Sequence, residues 1–241
     1  MKKISLITVY NRETLVEEMK NSASNQKNVE VEFILIDNSN KQFSSASKAL
    51  NYGAKTSSGD VLVFLHQDIE FLSDDVLEQI YDFALENPNS VFGAAGVPMR
   101  QNSDKILLSN FFAGPDKTQC ATINKAEKAF TLDECLIACH KEAFSKLQFD
   151  EVICDGWHLY GADLCLQAQA FNGMSVYAIP LNVWHKSNGN ADKSYYDCQN
   201  KLGNKYRKHY KIINTTNGWV YTSFIKRFLQ NSYRRIRYGS R

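Results

Sequence analysis

The sequence predicts an α/β fold with a mostly parallel central sheet flanked by helices. Short apolar runs rich in β-branched residues recur through the first hundred positions, and amphipathic stretches separate them. Polar residues do not alternate within the runs, so each strand is expected to be covered on both faces, as in a sheet built from strand–helix–strand units.

ISLITVY, residues 4 to 10, is the first strand and ends at Asn11-Arg12; in ETLVEEMKNSAS, Leu15, Val16 and Met19 then fall at helical spacing. A second strand over 31 to 36 stops at Asp37-Asn38-Ser39. The helix expected near 42 to 56 presents Ala46, Ala49, Leu50 and Gly53 to a sheet. Ser58-Gly59-Asp60 turns the chain into VLVFL, which ends at His66-Gln67-Asp68. Ser73 is placed to cap the next helix, with Asp74 and Asp75 in the first turn, where the helix dipole favours acid. That helix runs through Leu77, Ile80, Tyr81 and Leu85 and stops before Pro88; VFGAAGV follows as a fourth strand.

Right-handed crossovers place the ends of successive parallel strands on one edge, where sheets of this class bind ligands. Tyr10-Asn11, Asp37-Asn38 and His66-Gln67-Asp68 therefore converge. The second half is less regular. Turns and short strands surround Gly114-Pro115 in residues 98 to 132, and TLDECLIACHKEAF reads as a buried strand running into a short helix. In GWHLYGADLCLQAQAFNG, Leu164, Ala168 and Phe171 share one helical face, and Asn172-Gly173 forms the C-cap. VYAIPLNVWHKSNG closes the core on another strand-like run.

The net charge of +2 conceals an uneven distribution. Eleven of the 28 basic residues and none of the 26 acidic ones lie after residue 197, so the preceding body carries a net −9. From Trp219 onward, Phe224, Ile225, Phe228 and Leu229 form an apolar stripe beside Lys226, Arg227, Arg234, Arg235 and Arg237, the pattern of a basic amphipathic helix suited to an anionic surface. No apolar stretch approaches the ~18 residues of a membrane span. The apolar run after Lys2-Lys3 is too short for a secretory signal, so an intracellular protein is expected. Cys120, Cys135, Cys139, Cys154, Cys165 and Cys198 lack paired spacing and read as reduced core thiols. CLIACH has no second half that would make a zinc site.

A dinucleotide G-x-G-x-x-G after the first strand, a P-loop and a G-x-S-x-G elbow are all missing. These absences argue against a dinucleotide oxidoreductase, a P-loop NTPase and an α/β-hydrolase. What remains is acidic and histidine-based. A carboxylate such as Asp68, at a strand end, suits a hard divalent cation and through it phosphate oxygens.

Taken together and in order, ITVYNRE, ILIDNSN, ALNYGAKTSSGDVLVFLHQD, WHLYGADLCLQA and VWHKSNG resemble the family 2 glycosyltransferases of the GT-A fold over roughly residues 4 to 190. The branch with HQD as its acidic motif and a later WHLY, found among enzymes of bacterial surface polysaccharide synthesis, is the most similar. The resemblance implies a GT-A-like catalytic domain over 1–190 and a basic helical extension over 191–241. It implies that Thr8, Tyr10 and Asn11 line a nucleotide pocket, that Asp37 binds the base, and that Asn51 and His66 lie by the nucleotide. Asp68 matches the last Asp of the D-x-D motif and would hold a divalent cation, Mn²⁺ or Mg²⁺, with His185 as second ligand. Asp163 matches the acidic residue of the E-D motif and would be the catalytic base, with Trp157 and His158 near the acceptor.

His66 stands where the first Asp of D-x-D is usual, and Ala162 where Glu is usual. The implied activity is an inverting, metal-dependent transfer of sugar from a UDP- or GDP-sugar donor to a saccharide or lipid-linked acceptor. It is placed in the cytoplasm, with peripheral contact to the inner face of the membrane through the basic helix and with no nucleic-acid partner. Two alternatives are a sugar-phosphate nucleotidyltransferase and a nucleotide-sugar-binding module without turnover.

Overall fold

The computed structural model describes residues 2–99, 107–189 and 191–238, the last four as backbone only. The first units follow the expected alternation: β1 (Lys3–Tyr10), α1 (Glu13–Ser24), β2 (Glu30–Asp37), α2 (Ala46–Thr56), β3 (Val61–Leu65), β4 (Ile69–Phe71) and α3 (Val76–Glu86). Ser45 caps α2 by accepting from the Lys48 N–H. Asp75, not Ser73, stands at the start of α3, and the Ser73 hydroxyl donates to the Asp75 carboxylate at 2.7 Å. Gly53 lets α2 lie close on the sheet, since a Cβ there would come within 2.6 Å of Ile7 Cγ2.

VFGAAGV divides into β5 (Ser90–Gly93) and β6 (Ala95–Val97), which belong to different sheets. The irregular region supplies β7 (Leu108–Ala113), β8 (Thr118–Ala121), β9 (Glu127–Lys128) and β10 (Thr131–Leu132). Then come β11 (Leu136–His140), α4 (Lys141–Ser145), α5 (Tyr160–Asn172), β12 (Ser175–Ala178) and β13 (Val183–His185). The chain closes with α6 (Lys193–Lys205), β14 (Ile212–Thr215), β15 (Gly218–Tyr221) and α7 (Phe224–Tyr238).

Among the described residues the central sheet has seven strands in the order β2-β1-β3-β11-β5-β12-β9. Its first three strands are parallel as expected, but β11 runs antiparallel to both β3 and β5, so the sheet is mixed. That reversal matters for the site. Leu136 pairs with Leu65, and the His66 N–H donates to the Cys135 carbonyl at 2.9 Å, so the residues entering β11 lie beside the end of β3. A second sheet, β10-β6-β7-β13-β4 with β8 on β7, brings β13 antiparallel to β4 and sets His185 opposite Ile69.

The boundary expected at residue 190 does not appear in the packing. Tyr195, Cys198 and Leu202 of α6, Tyr206, Ile213 and Val220 are buried in the same apolar cluster as the central sheet and α5. Helix α7 stands outward, with Phe224, Ile225, Phe228 and Leu229 each more than 60% exposed. Arg227, expected on its basic face, is buried instead; it donates to the Tyr221 and Thr222 carbonyls and to Asn204. The Arg234 guanidinium donates to Gln199 and to the Trp219 carbonyl. The side chains of Arg235 and Arg237 lie outside the described residues. All six cysteines are free thiols.

Candidate functional site

The ends of β1, β2 and β3 open into a cavity of about 900 Å³, within the size range of ligand pockets. Tyr10, Asn11, His66, Asp68 and Trp157 line it. Gln67 ties two of these strand ends together: its amide oxygen accepts from the Asn11 and Arg12 N–H groups at 3.1 and 3.0 Å, and its amide nitrogen donates to Asn11 Oδ1. Arg12 and Lys41 bring positive charge to the wall. Sequence reasoning did not single out these two residues, because a basic residue after a strand has no signature apart from where the chain folds back.

At one side of the cavity three side chains meet. His66 Nδ1 lies 3.2 Å from His185 Nε2, and His185 Nε2 lies 3.4 Å from Asp68 Oδ1. One donor atom from each residue falls within 4.8 Å of the others. Burial alone would raise the Asp68 pKa, but the hydrogen bond and charge of His185 and the Ser187 N–H, 3.1 Å from Oδ2, hold it well below the usual carboxylate range. Burial, reinforced by His185, pushes His66 down to about 4, so its imidazole is neutral at pH 7. For His185 burial works downward, but Asp68 outweighs it and raises the pKa. One carboxylate and two imidazoles crowded together form a donor set for a divalent cation.

Tyr160, at the start of α5, ties this cluster to the core. Its hydroxyl is 3.1 Å from His66 Nε2, and its ring packs edge-on against Phe149 with centroids 5.7 Å apart. The turn into α5 is strained at Leu159, whose φ of 63° lies in the left-handed region that disfavours a branched residue. Trp157, 43% exposed, is shared with a smaller neighbouring cavity of about 400 Å³ that also includes His158. His158 Nε2 is 3.4 Å from Asp192 Oδ1.

Four expected residues are placed differently. Thr8 is fully buried and does not line the cavity, and its hydroxyl has no hydrogen-bond partner among the described residues. Asp37 is exposed and accepts from the Ser39 N–H; its neighbours Asn38 and Ser39 line the cavity in its place. Asn51 does not line the cavity; its amide donates to the Phe149 carbonyl and Glu151 and accepts from the Phe149 N–H.

Asp163, expected as the catalytic base, is enclosed as well. It is 0% exposed and faces α6, with Lys205 Nζ at 2.7 Å, the Tyr206 hydroxyl at 2.8 Å and Gln167 Nε2 at 2.6 Å. In this arrangement Asp163 does not line the cavity.

Comparison with known proteins follows the same lines. The family described as "glycosyltransferase like family" matches residues 5–211. A curated relative from Fuscovulum blasticum, "ATP synthase subunits region ORF 6", is 29% identical over 173 residues, 67% of this chain and 66% of that protein. The solved structure of GalNAc-T7 with UDP, GalNAc and Mn²⁺ superposes with a TM-score of 0.61 at 10% identity, covering 86% of this chain and 48% of that one. Residues 1–349 of S. aureus TarS in complex with UDP-GlcNAc superpose with a TM-score of 0.55 at 14% identity, covering 84% and 66%. The chain thus spans just under two thirds of the curated relative and about half of GalNAc-T7. With the central mixed sheet, its flanking helices and a family match over most of its length, the chain belongs to the glycosyltransferase-like family 2 proteins and has a GT-A-like fold.

Proposed function

We propose that this protein is an inverting glycosyltransferase that moves a sugar from a UDP- or GDP-sugar to a saccharide or lipid-linked saccharide, in the making of a bacterial surface polysaccharide. The observation that carries the reading is the meeting of Asp68, His66 and His185 at the wall of a nucleotide-sized cavity that also holds Arg12 and Lys41. Transfer needs the charge on the departing diphosphate neutralised and the acceptor hydroxyl brought in from the opposite side of the anomeric carbon. A divalent cation held by Asp68 and His185, with His66 beside them, would supply Lewis-acid stabilisation of that diphosphate. Arg12 and Lys41 add positive charge around the same phosphates. Tyr10 and Asn11, with Asn38 and Ser39, form the part of the wall suited to the nucleoside. Trp157, standing between the two cavities, is placed to present a flat face to the acceptor sugar, with His158 behind it.

Among the described residues no helix is long and apolar enough to cross a membrane. The exposed stripe of α7 would bring the enzyme to lipid-linked acceptors by lying in the membrane interface, its aromatic and aliphatic side chains entering the headgroup boundary. Removing residues 224–241 should then lower binding to anionic liposomes; equal binding by the shortened protein would discard this contact.

Incubation with Mn²⁺ and a panel of UDP- and GDP-sugars tests the activity. A transferase releases nucleoside diphosphate, slowly even without acceptor. Tight donor binding with no release would favour a binding module, and pyrophosphate-dependent release of sugar phosphate would favour a nucleotidyltransferase.

A further inference from the structure

His185 belongs to a second cluster besides the one it forms with His66 and Asp68. One ligand atom each from Asp133, Cys135 and His185 lies within 4.8 Å of the other two. We infer that these three residues form a further cation site, one that takes Zn²⁺ and, by occupying His185, competes with the cation of the Asp68 site. Zn²⁺ binding stands apart from the transferase reading; the competition rests on that reading's assignment of Asp68, His66 and His185.

Three strand ends fix the ligands. Asp133 follows β10, and its N–H donates to the Ala95 carbonyl at 2.9 Å; Cys135 precedes β11, and its carbonyl accepts from the His66 N–H at 2.9 Å. His185 ends β13, held opposite Ile69 by the pairing with β4. Two donors aim the Asp133 carboxylate. The Cys135 N–H reaches Oδ1 at 3.0 Å, and the hydroxyl of Thr216, between β14 and β15, reaches Oδ2 at 2.8 Å. Such outer contacts orient a ligating carboxylate while its remaining lone pairs stay open to an ion. Cys135 and His185 are buried and Asp133 is half-buried, so a cation there would exchange most of its water for protein donors.

Ligand type separates this site from its neighbour. Sulfur is a soft donor that selects Zn²⁺, and a carboxylate and an imidazole complete a set of three; the Asp68 set contains no sulfur. On binding, the Cys135 sulfur forms a bond to the ion and its proton leaves to solvent, so the ion's charge replaces the proton on a buried sulfur. An ion in either set takes up the His185 imidazole, and its charge opposes a second cation a few ångströms away. The motif CLIACH showed none of this along the chain. Its Cys139 and His140 lie at the far end of β11 against Leu62 and Val61, and the partners of Cys135 come from positions 133 and 185.

Co²⁺, a spectroscopic stand-in for Zn²⁺, tests the site in the full-length protein. Thiolate ligation gives a sulfur-to-cobalt charge-transfer band in the near ultraviolet, which should saturate at one equivalent and vanish when Zn²⁺ is added. The band should be absent in Cys135→Ser protein whose circular dichroism matches wild type. Asp133→Asn, which keeps the thiol and the side-chain volume, should weaken Co²⁺ binding by about tenfold or more. Mn²⁺, followed by electron paramagnetic resonance of the free ion, should be released from wild type by Zn²⁺ and retained in C135S. A wild-type protein without the band, a band that survives in C135S, or full Co²⁺ affinity in D133N would overturn the site. Zn²⁺ that binds through Cys135 yet leaves Mn²⁺ in place would overturn the competition. A protein that shows the band but releases no nucleoside diphosphate with any donor would overturn the transferase reading and uphold the Zn²⁺ site.

Discussion

Replacing Lys205 by Met tests whether Asp163 is structural. Lys205 Nζ lies 2.7 and 2.9 Å from the two oxygens of Asp163 and 2.8 Å from Asp150, and its side chain is 17% exposed. Removing it leaves a carboxylate with no exposure and no cation, a change that costs about 3–5 kcal/mol when one partner of a buried pair is lost. For a chain of this length each kcal/mol lowers Tm by ~2–4 °C, so a fall of about 6–20 °C is expected in a thermal melt followed by circular dichroism.

Asp163→Asn should cost less, about 1–3 kcal/mol, because the amide keeps the volume and Lys205 keeps Asp150. The K205M/D163N double variant should recover part of the K205M loss, the signature of a coupled pair. The pH dependence has a definite sign. Burial outweighs the attraction of Lys205 and raises the Asp163 pKa, so the folded state favours the protonated acid more than the unfolded chain does. The K205M deficit should therefore be smallest in acid and widen as pH rises. A K205M Tm within about 2 °C of wild type, less than one kcal/mol would give, would refute the structural reading. So would D163N with an unchanged Tm and lost turnover.

Asp68→Ala should weaken Mn²⁺ binding, read by electron paramagnetic resonance of the free ion, by about tenfold or more, since removing even a group that supports a ligand costs 10–100-fold; equal binding would move the cation elsewhere. Arg12→Ala and Lys41→Ala should each weaken donor binding by about 0.2–1 kcal/mol, up to about fivefold, the range for exposed charge pairs. The effect should shrink in high salt, and no change at low salt would remove these residues from the phosphate site. Glu32 provides an acid-side test. Burial would raise its pKa, but hydrogen bonds from Ser5 and from the N–H and hydroxyl of Ser58 outweigh it and lower the value from 4.5 to about 2. Its stabilisation is thus present above the unfolded pKa and lost as pH falls through this window; Glu32→Gln should flatten the loss of stability there, and an unaltered acid slope would show that these hydrogen bonds contribute nothing.

The parts of the site that were legible in the sequence lie at the ends of regular strands. Tyr10, Asn11, His66 and Asp68 meet because parallel strands with crossovers end on one edge, and that rule needs only the order of apolar runs. His185 was reached by a motif, and its approach to Asp68 depends on β13 pairing with β4, a pairing no local pattern specifies. Asn51 and Asp163 show the limit from the other direction. Each is a polar residue on a helix, and its role is set by a partner from 42 to 100 positions away, Phe149 and Glu151 for one and Lys205 for the other. The reversal of β11 within the mostly parallel sheet was not specified for a related reason: LIACH is equally apolar whichever way it runs, and its direction follows from the irregular excursion that precedes it.

Two enclosed carboxylates, Asp68 and Asp163, differ in what neutralises them. Asp68 is held ionised by imidazole and an N–H, which keeps it an anion at the cavity wall. Asp163 is cancelled by an ammonium group and a phenol, so its charge stays inside the core.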